Sequence, residues 1–171
     1  MDQLTQMALS DSVFTAYADD ILFDPEYMKL EEFRHHLNST RLDHCVHVAY
    51  SCYLAALKTD YPFQRSLVRG ALLHDFFLYD YKIEKDWKKH SLHGFYHPRV
   101  ALNNASERFD LDAIERSVII HHMFPLTIIP PGNKAAWYVI FYDKYWAVKE
   151  CLRSDLKWDI RHIKKFLLRF A

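Results

Sequence analysis

Histidine and aspartate recur along this chain at places where the surrounding pattern calls for apolar residues, and these are the side chains that hold metal ions and move protons. The sharpest case is Gly70-Ala71-Leu72-Leu73-His74-Asp75-Phe76-Phe77-Leu78-Tyr79-Asp80, an apolar stretch with an imidazole and a carboxylate side by side. A carboxylate among Leu and Phe must take up a proton or find a positive partner, because burying an uncompensated ion is expensive. A divalent metal is the most economical partner. The plainer alternative makes Asp75 a helix cap and His74 a hydrogen-bonded core residue.

Three other segments repeat the puzzle. His44 shares a helical face with Val48, Cys52 and Ala55, whereas His47 lines up with Asp43, Ser51, Leu54 and Lys58 and is expected to be partly exposed. Asp143 stands among Val139, Ile140, Trp146 and Ala147. Pairing with Lys144 is geometrically poor on a helix, where adjacent residues point about 100° apart, so a partner from another helix or a metal is expected. His122 falls on the stripe of Leu111, Ile114, Val118 and Ile119, with His121 on its flank, and His97 precedes Pro98, four residues after His93. Taken together, these residues fit a site gathered in the core of a helix bundle. Nitrogen and oxygen ligands without thiolates favour Fe, Mn, Zn, Co or Mg over a structural zinc-thiolate centre.

The elements that must position them are helices. With three Gly and six Pro in 171 residues, and 50% hydrophobic content, the chain has few tight turns and ample core, which predicts an all-α, single-domain bundle of about seven or eight helices over residues 1–171. A helix or helix pair is expected over 3–22, a second helix from Pro25 to Leu37, a third from Arg41 to Lys58 and a fourth from Phe63 to about Tyr79. Residues 80–96 read as a long functional loop. A fifth helix is expected to start at His97-Pro98, a sixth at Phe109–Asp112 running to His122, and a seventh over Lys134–Cys151. An eighth, amphipathic helix over 153–170 carries Leu156, Ile160, Ile163 and Leu167 on one side and Lys157, Arg161, Lys164, Lys165 and Arg169 mostly on another, and is expected to pack on the core with the helices of 3–37.

Twenty-two basic residues balance twenty-two acidic ones, so no global field recruits nucleic acid or an anionic membrane. Cys45, Cys52 and Cys151 lack metal-site spacing and read as reduced core thiols. The amino terminus does not read as a signal peptide, and the longest uncharged apolar run, Ala135–Tyr142, is too short to span a bilayer. A cytoplasmic protein is expected, with its oligomeric state left open.

The order His44, His74-Asp75, Asp143 on successive helices resembles the HD superfamily of metal-dependent phosphohydrolases, whose pattern is H…HD…D, over roughly residues 40–150. His44-Cys45-Val46-His47-Val48-Ala49 is similar to its first-ligand helix, Ala71–Asp75 to its signature helix and Tyr142-Asp143-Lys144 to its last. His97-Pro98 and Ile119-Ile120-His121-His122 resemble the added histidines of the branch that binds two metals. The resemblance implies that His44, His74, Asp75 and Asp143 hold one metal, that His97 and either His121 or His122 hold a second, and that Asp75 bridges, with His74 and Asp75 at the catalytic centre. The chain departs from the family after Asp75, where Phe76-Phe77-Leu78 replaces the Ile-Gly-Lys of many members. Asp80, Lys144 or His93 is then the candidate to stand in for that lysine.

The resemblance therefore implies hydrolysis of a small phosphorylated substrate, a phosphate ester or nucleotide, by metal-activated water. Arg41, Arg99, Lys134 and Lys144 are the candidate phosphate donors, and His93 belongs to the loop expected to wall the site. The competing expectations are a non-catalytic metal- or nucleotide-binding sensor, and a di-iron oxygenase on the same fold.

Overall fold

The helix Arg41–Lys58 is buried on nearly every side, and the other elements are laid around it. This computed structural model describes residues 3–36, 39–80 and 92–167, with side chains described for all of these except 35, 36 and 151–167. In chain order the described residues form α1 (Gln3–Ser10), α2 (Ser12–Ala16), α3 (Asp19–Leu22), α4 (Pro25–Met28), a 3-10 turn (Lys29–Glu32), β1 (Arg34–His36), β2 (Ser39–Thr40), α5 (Arg41–Lys58), α6 (Gln64–Leu73), α7 (His93–Arg108), α8 (Ala113–His121) and α9 (Lys134–Leu167). The protein is an all-α bundle, in which β1 and β2 make only a small antiparallel ribbon.

The start of α5 is fixed locally. Thr40 Oγ1 accepts the Asp43 amide (3.1 Å) and Asp43 Oδ2 accepts the Thr40 amide (3.2 Å), a reciprocal cap that satisfies two otherwise unpaired donors. α9 runs antiparallel to α5. Tyr138 meets Thr59 (2.6 Å), Trp146 Nε1 donates to Ser51 (2.9 Å), and Glu150 accepts from Ser39 (3.2 Å) at the far end. α6 crosses α8 at Gly70, where a Cβ would stand 2.9 Å from Val118 Cβ, so only glycine permits this approach. The same pair of helices is joined by the buried Arg69, which donates to Glu115 of α8 (2.7 Å) and to Asp20 of α3. One apolar core extends from Ala8 to Trp146.

Several boundaries differ from the sequence expectation. Residues 3–22 form three short helices, with Asp11 capping the second by accepting the Val13 and Phe14 amides. The helix expected from Pro25 to Leu37 stops at Met28 and gives way to the 3-10 turn and β1; Arg41's amide bonds to Phe33's carbonyl (2.8 Å), tying that strand to α5 instead. α6 ends at Leu73 rather than near Tyr79, because the apolar run Phe76-Phe77-Leu78 is packed as an irregular segment whose Phe76 and Phe77 carbonyls are taken by side chains. α7 starts at His93, four residues early, and carries Pro98 inside its second turn, where a single missing amide is tolerated. The expected seventh and eighth helices are one continuous α9 of 34 residues, since no Gly or Pro separates Cys151 from Arg153. Residues 81–91, most of the expected loop, and 168–170 lie outside the described residues.

Candidate metal centre

The chemistry is concentrated where α6 stops. His74 is its C-cap residue and Asp75 follows as the chain turns away. Helix ends leave carbonyls without amide partners, and here side chains serve them: the Tyr27 hydroxyl donates to Leu72 (2.9 Å) and His74 Nδ1 to Ala71 (2.6 Å). Just beyond, Arg41 donates to the Phe77 and Tyr79 carbonyls (2.6 and 3.2 Å) and Asn104 to Phe76 (2.9 Å), holding the exit segment in place.

His97 on α7 and His122 after α8 are held in the same way. His97 Nδ1 donates to the His93 carbonyl (2.9 Å) and His122 Nδ1 to the Ile119 carbonyl (2.8 Å). A neutral imidazole has one N–H. In His74, His97 and His122 the backbone therefore claims the Nδ1 proton and leaves Nε2 with a lone pair directed at Asp75, at 3.9, 3.1 and 3.5 Å from its carboxylate oxygens.

Two features of this arrangement fit a cation. The Nε2 atoms of His97 and His122 are 2.8 Å apart, and two lone pairs at that distance repel unless a proton or metal ion lies between them. His74 Nε2 is fully buried and has no hydrogen-bond partner among the described residues, a condition that costs about 1–3 kcal/mol if nothing else meets that nitrogen. The sets His44, His74, Asp75 and Asp75, His97, His122 each bring three ligand atoms within 4.8 Å of one another, all buried and with Asp75 in both, so these groups could hold a metal ion.

Charge follows burial and neighbours. Burial presses His74 down to about 4, against the pull of Asp75, so the ring is neutral at ordinary pH. Burial would raise the Asp75 carboxyl, yet the imidazoles of His74, His122 and His97 packed around it hold it well below the usual carboxylate range. On the other side of the cluster, His44 Nε2 is 3.2 Å from Asp143 Oδ1 and its Nδ1 is 3.4 Å from Glu150 Oε1. Burial opposes a charge on His44, but hydrogen bonds to these two carboxylates lift it to about 10. Asp143 Oδ1 also lies 3.9 Å from His74 Nε2, and despite burial Asp143 is held far below its usual range by His44, His74 and Lys144.

The structure thus brings together His44, His74, Asp75, His97, His122 and Asp143. His121 is turned away, its Nδ1 bonded to the Ser117 carbonyl (2.9 Å). His93 is at the edge, half-buried, stacked on His97 with centroids 4.6 Å apart and bonded to the Tyr79 hydroxyl (3.1 Å). The expectation that Lys144 would not pair with Asp143 is overturned: its long, flexible stem bends back to reach Oδ2 at 2.7 Å while also donating to the His122 carbonyl (3.1 Å). His47, expected to be partly exposed, is buried, because α1 covers that side of α5 with Thr5 (3.3 Å) and Trp146 stacks on it with centroids 4.5 Å apart.

The proposed phosphate donors disperse. Arg41 is fully buried, its guanidinium between the Phe33 and Phe77 rings (4.9 and 3.7 Å), and is a buttress rather than a group at a mouth. Lys134 lies over Tyr61 and Tyr138 at the start of α9, nine residues or about 13 Å along the helix from Asp143. Arg99 is exposed on α7. Lys144 remains beside the cluster. Sequence reasoning passed over Glu150, although its position seven residues after Asp143, two helical turns on, places it on the same face; it is buried and also stands 3.5 Å from His47 Nδ1.

Among known proteins, no family model, no curated protein and no solved structure matches this chain.

Proposed function

We propose that this protein is a metal-dependent phosphohydrolase of the HD type, acting on a small phosphate ester or nucleotide with one or two divalent ions, Fe, Mn, Zn, Co or Mg. The observation that carries the reading is Asp75 set among three buried histidines whose Nδ1 protons are committed to backbone carbonyls. His44, His74, Asp75 and Asp143 would hold one ion, and Asp75, His97 and His122 a second. Such an ion, when bound, lowers the pKa of water toward about 7 and polarises a phosphoryl oxygen.

The chain's own residues supply the rest. The carbonyls of Ala71, His93 and Ile119 fix the imidazole tautomers and so keep the ligand nitrogens aimed inward. Glu150 and Asp143 orient His44 from its two ring nitrogens. Lys144, with its side chain 44% exposed, is placed to exchange Asp143 for an incoming phosphoryl group. Cys45 and Cys52, buried and free, suit a reducing cytoplasm. Among the described residues no helix is long and apolar enough to cross a membrane.

A second reading, a metal-binding module without turnover, is favoured by one observation: Asp143 is already compensated by His44 and Lys144. One experiment separates the two. Purified protein and its His74→Ala variant are assayed for metal content and for phosphate release from a panel of nucleotides and simple phosphate esters, with each divalent ion added in turn. The proposal expects metal in the wild type, metal loss in the variant, and metal-dependent phosphate release by the wild type alone. Metal without release supports the module, iron with oxygen uptake supports the oxygenase alternative, and no metal binding at all defeats all three.

A further inference from the structure

Beyond the Nδ1 of His44 a row of polar side chains leads through the core to the amino-terminal helix. Glu150 Oε1 stands 3.4 Å from His44 Nδ1 and 3.5 Å from His47 Nδ1, while its Oε2 accepts from the Ser39 hydroxyl (3.2 Å). His47 Nε2 lies 3.3 Å from the Thr5 hydroxyl, which donates to Asp43 Oδ1 (2.8 Å). The other Asp43 oxygen closes the cap of α5 on Thr40. Thr5, Asp43, His47, Glu150 and His44 are all buried, and together they join α1, α5 and α9.

We infer that this row is a positioning relay for the ion on the His44 side: Thr5 and His47, neither of them a ligand, hold Glu150 so that His44 presents its Nε2 to the metal. The inference rests on the metal-centre reading and adds the residues that decide how firmly one side of that centre is filled. A hydroxyl has one proton. Thr5 gives its proton to Asp43, so toward His47 its oxygen accepts, and the proton of that contact sits on His47 Nε2. This fixes which way the ring faces and turns its Nδ1 to Glu150, and Trp146 stacks on the ring (4.5 Å) to keep it there. When a metal occupies His44 Nε2, the one proton left on that ring is on Nδ1, aimed at Glu150. A carboxylate behind a ligand imidazole fixes the ring's orientation and raises its basicity.

The relay serves one ligand set and not the other. His97 and His122 take their orientation from the His93 and Ile119 carbonyls of α7 and α8, whereas His44 meets carboxylates of α9 at both ring nitrogens. Stability alone does not call for such a row. Replacing both partners of a buried hydrogen bond by apolar groups of the same shape is nearly neutral, but a satisfied polar network rigidifies what it touches. What Thr5 and His47 supply is therefore direction, delivered to His44 from a helix that holds no ligand itself.

The test is cobalt(II) titration of the full chain against a competing chelator, read by visible absorption and elemental analysis, for the wild type, His47→Phe, Thr5→Val and Thr5→Ser, with circular dichroism to confirm helicity. His47→Phe keeps a ring on Trp146 and removes both nitrogens. Thr5→Val keeps the shape and removes the hydroxyl, which Thr5→Ser restores. The expected result is one ion whose dissociation constant rises about tenfold or more in His47→Phe, and in the same direction in Thr5→Val, with a changed absorption band. Thr5→Ser behaves as the wild type, and any ion at Asp75, His97 and His122 keeps its affinity throughout. Should His47→Phe misfold, the two Thr5 variants carry the comparison. Affinities unmoved by these substitutions, two ions weakened alike, or Thr5→Ser as weak as Thr5→Val would each overturn the relay and leave the metal centre standing. A wild type that binds no metal overturns the metal-centre reading and the relay with it.

Discussion

Nε2 of His97 and Nε2 of His122 face each other at 2.8 Å, each ring having spent its Nδ1 proton on a backbone carbonyl. A cation held there removes the repulsion between the two lone pairs and ties α7 to the end of α8. Chelator-treated protein should therefore melt earlier than protein with metal restored. At a free metal concentration about a hundredfold above the dissociation constant the gain is about 2.7 kcal/mol, or about 5–10 °C for a chain of this size. A thermal melt that is indifferent to every divalent ion would count against the site.

Asp75 belongs to both ligand sets, while His122 belongs to one. Asp75→Asn should consequently strip more metal than His122→Ala, leaving close to none per chain where the histidine variant retains a fraction. Elemental analysis of the two purified variants, both checked for helicity, decides the point. Equal losses would argue that the two sets do not share a ligand.

His44, raised from 6.5 to about 10 in the metal-free protein, is charged at neutral pH. A metal bound through its Nε2 must displace that proton, so about one proton per chain should leave on loading at pH 7, and affinity should rise with pH until about 10. Calorimetric titration in two buffers of different ionisation enthalpy measures the release. The same shift sets the stability of the metal-free form: the contribution of the charged ring is complete below about pH 6.5 and disappears as pH climbs through about 10.

Arg41 reaches two carbonyls with two different nitrogens while its plane lies between two rings. Lysine cannot reproduce that geometry. Arg41→Lys should cost on the order of 2–4 kcal/mol in denaturant unfolding and loosen the segment that follows Asp75. If Arg41 were instead a phosphate contact, stability would hardly change and only substrate affinity would suffer.

The helices with the strongest local signals were legible in the sequence. The 41–58 span expected for α5 agrees with the structure, which closes its start with the Thr40–Asp43 cap. The inward histidine on α5 and the preference for His122 over His121 also followed from periodicity. What could not be read depended on partners distant in sequence. Phe76-Phe77-Leu78 looks like more helix until Arg41 and Asn104 take its carbonyls, and His47 looks exposed until α1 arrives over it. The Lys144 contact with Asp143 was missed for a different reason: facing angles on a helix constrain Cβ positions, not the reach of a four-carbon stem.

The contact between His44 and Asp143 spans 99 residues, and its consequence is temporal. A chain leaving the ribosome carries its first histidines long before α9 exists, and contacts of such separation close late in folding. The side of the cluster that contains Asp143 comes into being only when α9 docks, so a half-made chain lacks the carboxylates that pair with His44 even where Asp75, His97 and His122 are already in place.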